Sequence, residues 1–437
     1  LFTLVPVAVQ LVDDTMIELA RAIPISQPTV EEAVRGNPAA LLLVEFAEED
    51  MVENERRLRQ LHEMMGGLGF GWDKGAAWRG GVVDAIDPGM QGRIAEWRKS
   101  GLNIMMSEKS EAKPVSFLED CAVELKDLAE YTDKLTAIFD RNGVKGTWYA
   151  HASVGCLHVR PVLNMKQAGG AETMRAIAEE AFELVRSFGG SHSGEHGDGI
   201  VRSEFNDRMF GPVLPDLFRQ VKAMFDPQGM FNPGKITDAP KMDDRELFRF
   251  APGYEVEDFD SVLDWAAWPG AAGGFQGAVE MCNNNGACRK LTGGVMCPSY
   301  RATRNERDAV RGRANSLRLA MSGQLGPDAM ASDAMAETMK LCVSCKACKR
   351  ECPVGVDMAR MKVEVTAARA AKHGIPLHDR LIGNLPAYAP LASGLSGLSN
   401  LVQSVWRHVP GLASLVSRLT GFTTKRSLQK WHSNAFR

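Results

Sequence analysis

Four cysteines fall within eleven residues in Cys342-Val-Ser-Cys345-Lys-Ala-Cys348-Lys-Arg-Glu-Cys352-Pro353, a C-x2-C-x2-C-x3-C-P run. At this spacing a short loop running into a helix aims three thiolates at one iron–sulfur cubane, while the fourth, stopped by proline, turns toward a neighbouring cluster. A zinc knuckle or a disulfide pair would also cluster thiols, but four Cys ending in Cys-Pro favour iron–sulfur. Upstream stand Cys282-Asn-Asn-Asn-Gly-Ala-Cys288 and Cys297-Pro298. By the same rule Cys342, Cys345 and Cys348 take their fourth ligand from Cys297, which makes one [4Fe–4S] cluster. The crossed set is Cys282, Cys288 and Cys352, only three thiolates. Asn285 stands where a two-cluster pattern has a Cys, so a second cluster needs a non-Cys ligand or lacks an iron. Otherwise these three are structural or bind a different metal. Arg301, Arg304, Arg307, Arg311, Arg313 and Arg318 follow and would offset cluster charge. A nucleic-acid patch is the competing reading, but only Tyr300 is interleaved as an aromatic. Met281, Met296, Met339 and Met361 read as core packing.

A second dense region lies in the first half. His151-Ala-Ser-Val-Gly155-Cys-Leu-His158-Val-Arg160-Pro161 precedes Gly194-Glu195-His196-Gly197-Asp198-Gly199 and Arg202. A hairpin turning at Gly155 would let two imidazoles converge on one metal ion. Glu195 could complete a His2Glu set with an open coordination position, the form of a catalytic site. His196 beside it is placed as a general base. Taken singly, each His is more simply a hydrogen-bonded core residue, and Glu-His-Gly-Asp-Gly a polar turn.

The elements that must hold these residues follow from pattern. Residues 7–22 put Val9, Val12, Met16, Leu19 and Ala20 on one helical face. Residues 40–46 read as a buried strand, and residues 51–65 and 91–100 have helical spacing around the Gly-rich break at 66–69. Residues 115–123 alternate as a strand that contains Glu119-Asp120. Residues 125–141 form an amphipathic helix stopped by Asn142-Gly143. Residues 146–152 and 156–163 make the hairpin, and helices follow at 171–188 and 214–225. The fold class is α+β, an antiparallel-sheet domain over residues 1–240. Residues 241–277 read as a linker, with Gly and Ala dense at 266–277. Residues 278–372 read as an all-α, ferredoxin-like iron–sulfur domain. Residues 373–437 read as a linker with a short amphipathic segment at 401–419, leading to a further domain.

With 437 residues, 45% hydrophobic and 24% charged, the chain is sized for two or three ordinary globular domains. A net charge of −3 suggests neither a nucleic-acid partner nor an anionic membrane. Seven of the nine Cys lie between Cys282 and Cys352, which points to metal ligation in a reducing, cytoplasmic setting. No apolar run reaches the ~18 residues that a membrane span needs. The apolar start at Leu1 lacks the basic flank and cleavage site of a signal peptide, and a start at Leu suggests a fragment of a longer polypeptide.

Gly194-Glu-His-Gly-Asp-Gly199-Ile-Val-Arg202-Ser, with Phe231-Asn232-Pro-Gly-Lys235, resembles the C-terminal cap domain of FAD-linked dehydrogenases of the vanillyl-alcohol-oxidase type. That group includes D-lactate dehydrogenase, glycolate oxidase and D-2-hydroxyglutarate dehydrogenase. The Cys-rich half resembles the iron–sulfur domain fused behind that cap in large bacterial members. The resemblance implies a flavoprotein that oxidises a D-2-hydroxy acid. Its hydroxyl and carboxylate would sit on zinc or manganese held by His151, His158 and Glu195. His196 would take the hydroxyl proton while hydride passes to the flavin. Arg98 is a candidate clamp for the substrate carboxylate, and Arg160 could also reach substrate. Gly197, Arg202, Asn232 and Lys235, with Glu195, would face the cofactor. For Arg98, Arg202 and Lys235 a solvated surface charge is the alternative. The family holds FAD mainly on a domain N-terminal to the cap, and no Gly-rich segment before residue 60 could replace it. The chain is therefore expected to carry the substrate cap and the electron exit. The acceptor would be a quinone, a flavoprotein or a cytochrome, with possible peripheral contact at the inner membrane. An electron-transfer module with a non-catalytic cap, and a zinc hydrolase working without flavin, are the other functions these residues allow.

Overall fold

The computed structural model describes residues 2–72, 78–409, 411–423 and 425–434. The chain divides into two compact units, Leu1–Pro327 with Glu337–Lys362, and Asp328–Ala336 with Val363–Arg437. The first unit opens with β1 (Ala8–Asp13), which runs directly into α1 (Asp14–Ala22). The helix expected over residues 7–22 is thus only half helical. Asp13 is the reason: its carboxylate accepts the Met16 N–H at 3.0 Å and caps α1. The same carboxylate takes the Trp148 N–H at 2.7 Å, which ties β1 into the sheet. Val9 and Val12 are buried, but from a strand.

After α2 (Gln27–Ala33), β2 (Ala40–Glu45) pairs antiparallel with β1 from Ala8↔Glu45 to Asp13↔Ala40. It is an edge strand whose residues are exposed or half-buried, not the buried strand its apolar run suggested. α3 (Met51–Gly67) follows, then a separate small sheet of β3 (Phe70–Gly71) and β4 (Trp78–Arg79). α4 (Pro88–Lys99) and α5 (Gly101–Met105) lead to β5 (Lys113–Pro114) and β6 (Cys121–Ala122). The single strand expected at 115–123 is therefore broken. Between its two pieces the chain turns, with Phe117 and Leu118 buried and Asp120 at φ 89°. α6 (Leu128–Arg141) stops at Asn142, as its C-terminal signal required. β7 (Gly146–His151) and β8 (Cys156–Leu163) form the hairpin. Helices α7 (Ala168–Ser187), α8 (Asn206–Phe210) and α9 (Val213–Phe225) complete this half. The main sheet runs β2-β1-β7-β8-β5 with β6 also on β8, and its pairs are antiparallel.

Two apolar clusters hold the sheet. Tyr131, Leu135 and Ile138 of α6 meet Ile177, Ala181 and Val185 of α7 against Leu157 and Val159 of β8. Val12, Met16 and Ile17 meet Val30, Trp97 and Ile104 in the other. Each such buried aliphatic side chain contributes roughly 1.5–3 kcal/mol.

The rest of the first unit has no strand among the described residues. The stretch expected to be a linker carries packed structure: Trp265 and Phe275 are buried with ring centroids 5.1 Å apart, and α10 (Phe275–Glu280) lies within it. Its glycines and alanines let rings and backbone approach closely instead of leaving it loose. α11 (Pro298–Thr303), α12 (Val310–Met321), α13 (Asp333–Lys340), α14 (Ala347–Glu351) and α15 (Met358–His373) carry the cysteine loops between them. Met281, Met296, Met339 and Met361 are all buried, as expected of core residues. Lys166 joins the sheet half to this one, 2.6 Å from Glu280, and Asn283 donates to Asn103 at 3.1 Å.

In the second unit the stretch after Gly374, also expected to be a linker, forms α16 (Leu377–Gly383), α17 (Leu385–Gly394), α18 (Ser396–His408) and α19 (Leu412–Thr420). Pro at the start of α17 is tolerated where its missing N–H would have no partner, so the Pro/Gly-rich composition does not prevent a helix. Among the described residues no helix is long and apolar enough to cross a membrane.

Candidate metal and iron–sulfur centres

The hairpin does what the spacing of its histidines requires. Gly155 takes φ 69°, and a Cβ there would stand 2.0 Å from the Val123 carbonyl oxygen, so the corner needs glycine. The register sets Tyr149 opposite His158, and side chains two apart share a face. Tyr149, His151, His158 and Arg160 thereby gather on one side. The His151 and His158 rings meet edge to face, with centroids 4.9 Å apart. Glu195 arrives from the loop after α7. Its Oε2 lies 3.0 Å from His158 Nε2 and 3.4 Å from His151 Nε2. Ligands at ~2.1 Å from a shared zinc are separated by about 3.0–3.4 Å, so Glu195 stands from each imidazole at a spacing that a common ion allows. The three residues picked from sequence do come together.

Hydrogen bonds aim the ligands. His151 Nδ1 is 2.5 Å from Gln10 Oε1, which leaves Nε2 free toward Glu195. Tyr149 donates to the same Gln10 oxygen at 3.0 Å and accepts from Arg98 Nε at 2.8 Å. The Glu195 loop is fixed by Asp120, which is fully buried. Asp120 accepts the Glu195 N–H at 2.7 Å, the His196 N–H at 2.8 Å and the Ser193 hydroxyl at 3.2 Å. Asp120, His158, Glu195 and His196 also bring one donor atom each within 4.8 Å of one another. Asp120 is the poorer ligand of that set, because both its oxygens already serve N–H groups. It positions the loop.

Charge follows the same plan. Burial pushes the pKa of His151 down, and the Arg98 and His196 charges add to that against Glu195. Burial likewise lowers His158, opposed by Glu119. Neutral imidazoles are the form that binds a metal. Burial works against the Glu119 carboxylate, but Arg160 and a hydrogen bond from Ser116 outweigh it and hold its pKa below the usual range. Glu119 Oε1 lies 3.8 Å from both His158 Nδ1 and His196 Nδ1.

The remaining expected residues divide. His196 stacks on His158 with centroids 4.9 Å apart, and its side chain is half-exposed. Arg98 reaches Tyr149, and Arg160 is paired with Glu119. Arg202 is buried and donates to the Glu119 and Gly197 carbonyls, so it ties the loop down and does not project outward as a cofactor contact or a solvated charge. Gly197 takes φ 81° in that loop. Asn232 and Lys235 are exposed and touch one another at 3.4 Å. Gln10, Tyr149, Glu119 and Asp120 were not singled out from sequence. The available signal was an acidic pair inside an apolar run, which a strand facing solvent would not need.

In the second half the thiols sort into the two crossed sets. Cys297, Cys342, Cys345 and Cys348 line one small cavity, and Cys282, Cys288 and Cys352 line another. Ser344 and Lys346 adopt left-handed backbone, which wraps the loop around the first cavity before α14 begins. Burial pushes the Cys348 and Cys352 thiols up to about 11, so these sulfurs need a cation beside them to ionise. The donor sets and buried thiols suit iron–sulfur clusters. Of the six arginines, Arg311 and Arg313 line the cavities. Arg313, fully buried, donates to Ser299 Oγ at 3.1 Å and lies 3.8 Å from Cys297 Sγ. Arg304 and Arg307 are exposed.

Residues 3–236 match the family model "FAD linked oxidases, C-terminal domain", and residues 278–356 match "4Fe-4S dicluster domain". The chain is 29% identical over 437 residues to a D-2-hydroxyglutarate dehydrogenase of Pantoea ananatis, covering 90% of this chain and 41% of that protein. A D-2-hydroxyglutarate dehydrogenase of Escherichia coli is 29% identical over 88% of this chain and 40% of its own length. A D-lactate dehydrogenase of Archaeoglobus fulgidus is 30% identical over 132 residues, 30% of this chain and 29% of that protein. The chain thus spans about two fifths of the length of its two longer matches.

Proposed function

This chain belongs to the FAD-linked oxidases, and from that premise we propose that it forms the substrate and electron-exit part of a D-2-hydroxy-acid dehydrogenase. The reaction takes a small D-2-hydroxy acid, such as D-2-hydroxyglutarate, D-lactate or glycolate, to its 2-oxo acid. The observation that carries this reading is that Glu195 Oε2 lies 3.0 Å from His158 Nε2 and 3.4 Å from His151 Nε2, spacings that a shared ion allows. A divalent ion bound there, zinc or manganese, would lower the pKa of a substrate hydroxyl. His196 stands beside Glu195 on the open side, where its ring can accept that proton. Glu119 is close enough to hold the imidazolium that results. Arg98 can turn from Tyr149 to a substrate carboxylate. When bound, the flavin would supply the acceptor for the hydride of the substrate α-carbon. Electrons leave through the cysteine-lined half, where Val343 and Cys345 are exposed to a quinone, flavoprotein or cytochrome acceptor.

The test is turnover of the three acids by the complete polypeptide, before and after chelation. The reading predicts loss of activity on chelation and recovery with zinc or manganese. Activity that survives removal of the metal contradicts it, and cleavage of an ester or amide by the chain without any flavin would favour a hydrolase.

A further inference from the structure

We propose that the cavity formed by Cys282, Cys288 and Cys352 holds a three-iron [3Fe–4S] cluster, distinct from the four-iron cluster on Cys297, Cys342, Cys345 and Cys348. This rests on the iron–sulfur reading of this half and not on the hydroxy-acid chemistry. Its test uses no substrate.

A cubane corner needs a ligand for each iron. The first cavity offers four thiols and the second three. Asn285 is the residue that could replace the fourth, and it is already committed. Its Nδ2 donates to Asn283 Oδ1 at 2.6 Å, and its Oδ1 accepts the Ala287 N–H at 2.8 Å. The side chain lines the cavity but builds the turn between Cys282 and Cys288 with both ends of its amide. The rest of the wall supplies no carboxylate, imidazole or thiol: it is Gly286, Val310, Arg311, Val354 and Val356. What it does supply suits a cluster with three thiolates. The Arg311 N–H points at Cys288 Sγ at 3.4 Å, and the Arg311 guanidinium holds the loop through the Asn284 carbonyl at 3.2 Å. Cys282, Cys288 and Cys352 line the same cavity, so the three sulfurs share one space. An iron at a corner with no protein ligand is held by solvent alone and is the one most readily lost, and the cluster that remains has three irons on three thiolates.

The site faces the sheet half of the unit. Met281, next to Cys282, lies 3.5 Å from the Lys113 ammonium, and Asn283 is bonded to Asn103. The three-iron cluster is thus the one set toward the cap, and the four-iron cluster lies beneath exposed Val343 and Cys345.

The chain, purified and reconstituted without oxygen, is assayed for iron and sulfide and examined by EPR in the oxidised state. A paired four-iron cluster is silent there, whereas a three-iron cluster gives a signal. The proposal predicts iron about one atom short of two four-iron clusters, together with an oxidised-state signal. That signal should vanish in Cys282→Ala, whereas Cys345→Ala, which leaves three thiols in the first cavity, should add a second one. Asn285→Cys should add one iron and silence the signal. Iron equal to two full cubanes, with no oxidised-state signal in the unsubstituted chain, overturns it. So does the iron of one cubane alone, unchanged by Cys282→Ala. Should iron be missing from both cavities, the broader electron-exit reading fails as well.

Discussion

The residue that orders the imidazole–carboxylate site is one whose oxygens serve backbone N–H groups. Asp120 fixes the backbone of Glu195 and His196 and lies 3.5 Å from Arg202, and it does so with no exposure to solvent. In Asp120→Asn one acceptor oxygen becomes a donor facing N–H groups. Metal affinity is expected to drop about 10-fold or more, as it does when an outer-shell partner is lost. Metal titration of the variant checks this, with the cluster absorbance as an unchanged control. Unaltered affinity would show that the loop holds itself. Protons act at the same scale. Burial lowers the pKa of His151, His158 and His192. The unfolded chain then takes up protons at a higher pH than the folded one. These groups leave stability full above about pH 6.5 and reduce it as pH falls below that. Glu119, held low in the fold, adds a further loss at more acid pH. Denaturant midpoints of the metal-free chain should fall between about pH 7 and pH 5. A midpoint that is flat or rises across that range contradicts the burial of these rings.

At the scale of elements, the hairpin of β7 and β8 was legible because period-two patterning, a central glycine and two histidines agreed. So was α6, whose Asn142-Gly143 stop is a local signal. The segments that misled are those where a tertiary contact overrides a local pattern. The helical spacing over residues 7–22 does not reveal that Asp13 serves two partners at once. The alternation over residues 115–123 conceals a turn that only the 194–199 loop explains. Gly155→Ala tests the hairpin directly. A methyl group there meets the Val123 carbonyl in a backbone conformation that alanine disfavours, which should cost about 1–3 kcal/mol. Thermal unfolding measures it, and loss below about 0.5 kcal/mol would mean that the corner relaxes.

At the scale of the whole molecule, the chain joins an imidazole–carboxylate site to cysteine-lined cavities in one compact unit. The clustering of seven Cys in the second half made that division readable from sequence, as did the match of thiol spacing to crossed ligand sets. The packing of 265–280 and the helices after Gly374 were not readable, since Gly, Ala and Pro serve close packing and helix starts as readily as loose connection. Two separate kinds of inorganic centre are expected on this one chain. Metal analysis of the purified chain beside His151→Ala is the decisive measurement. One zinc or manganese beyond the cluster iron is expected, lost in the variant while the brown absorbance stays. Loss of both together, or no such metal in the unsubstituted chain, would contradict that expectation.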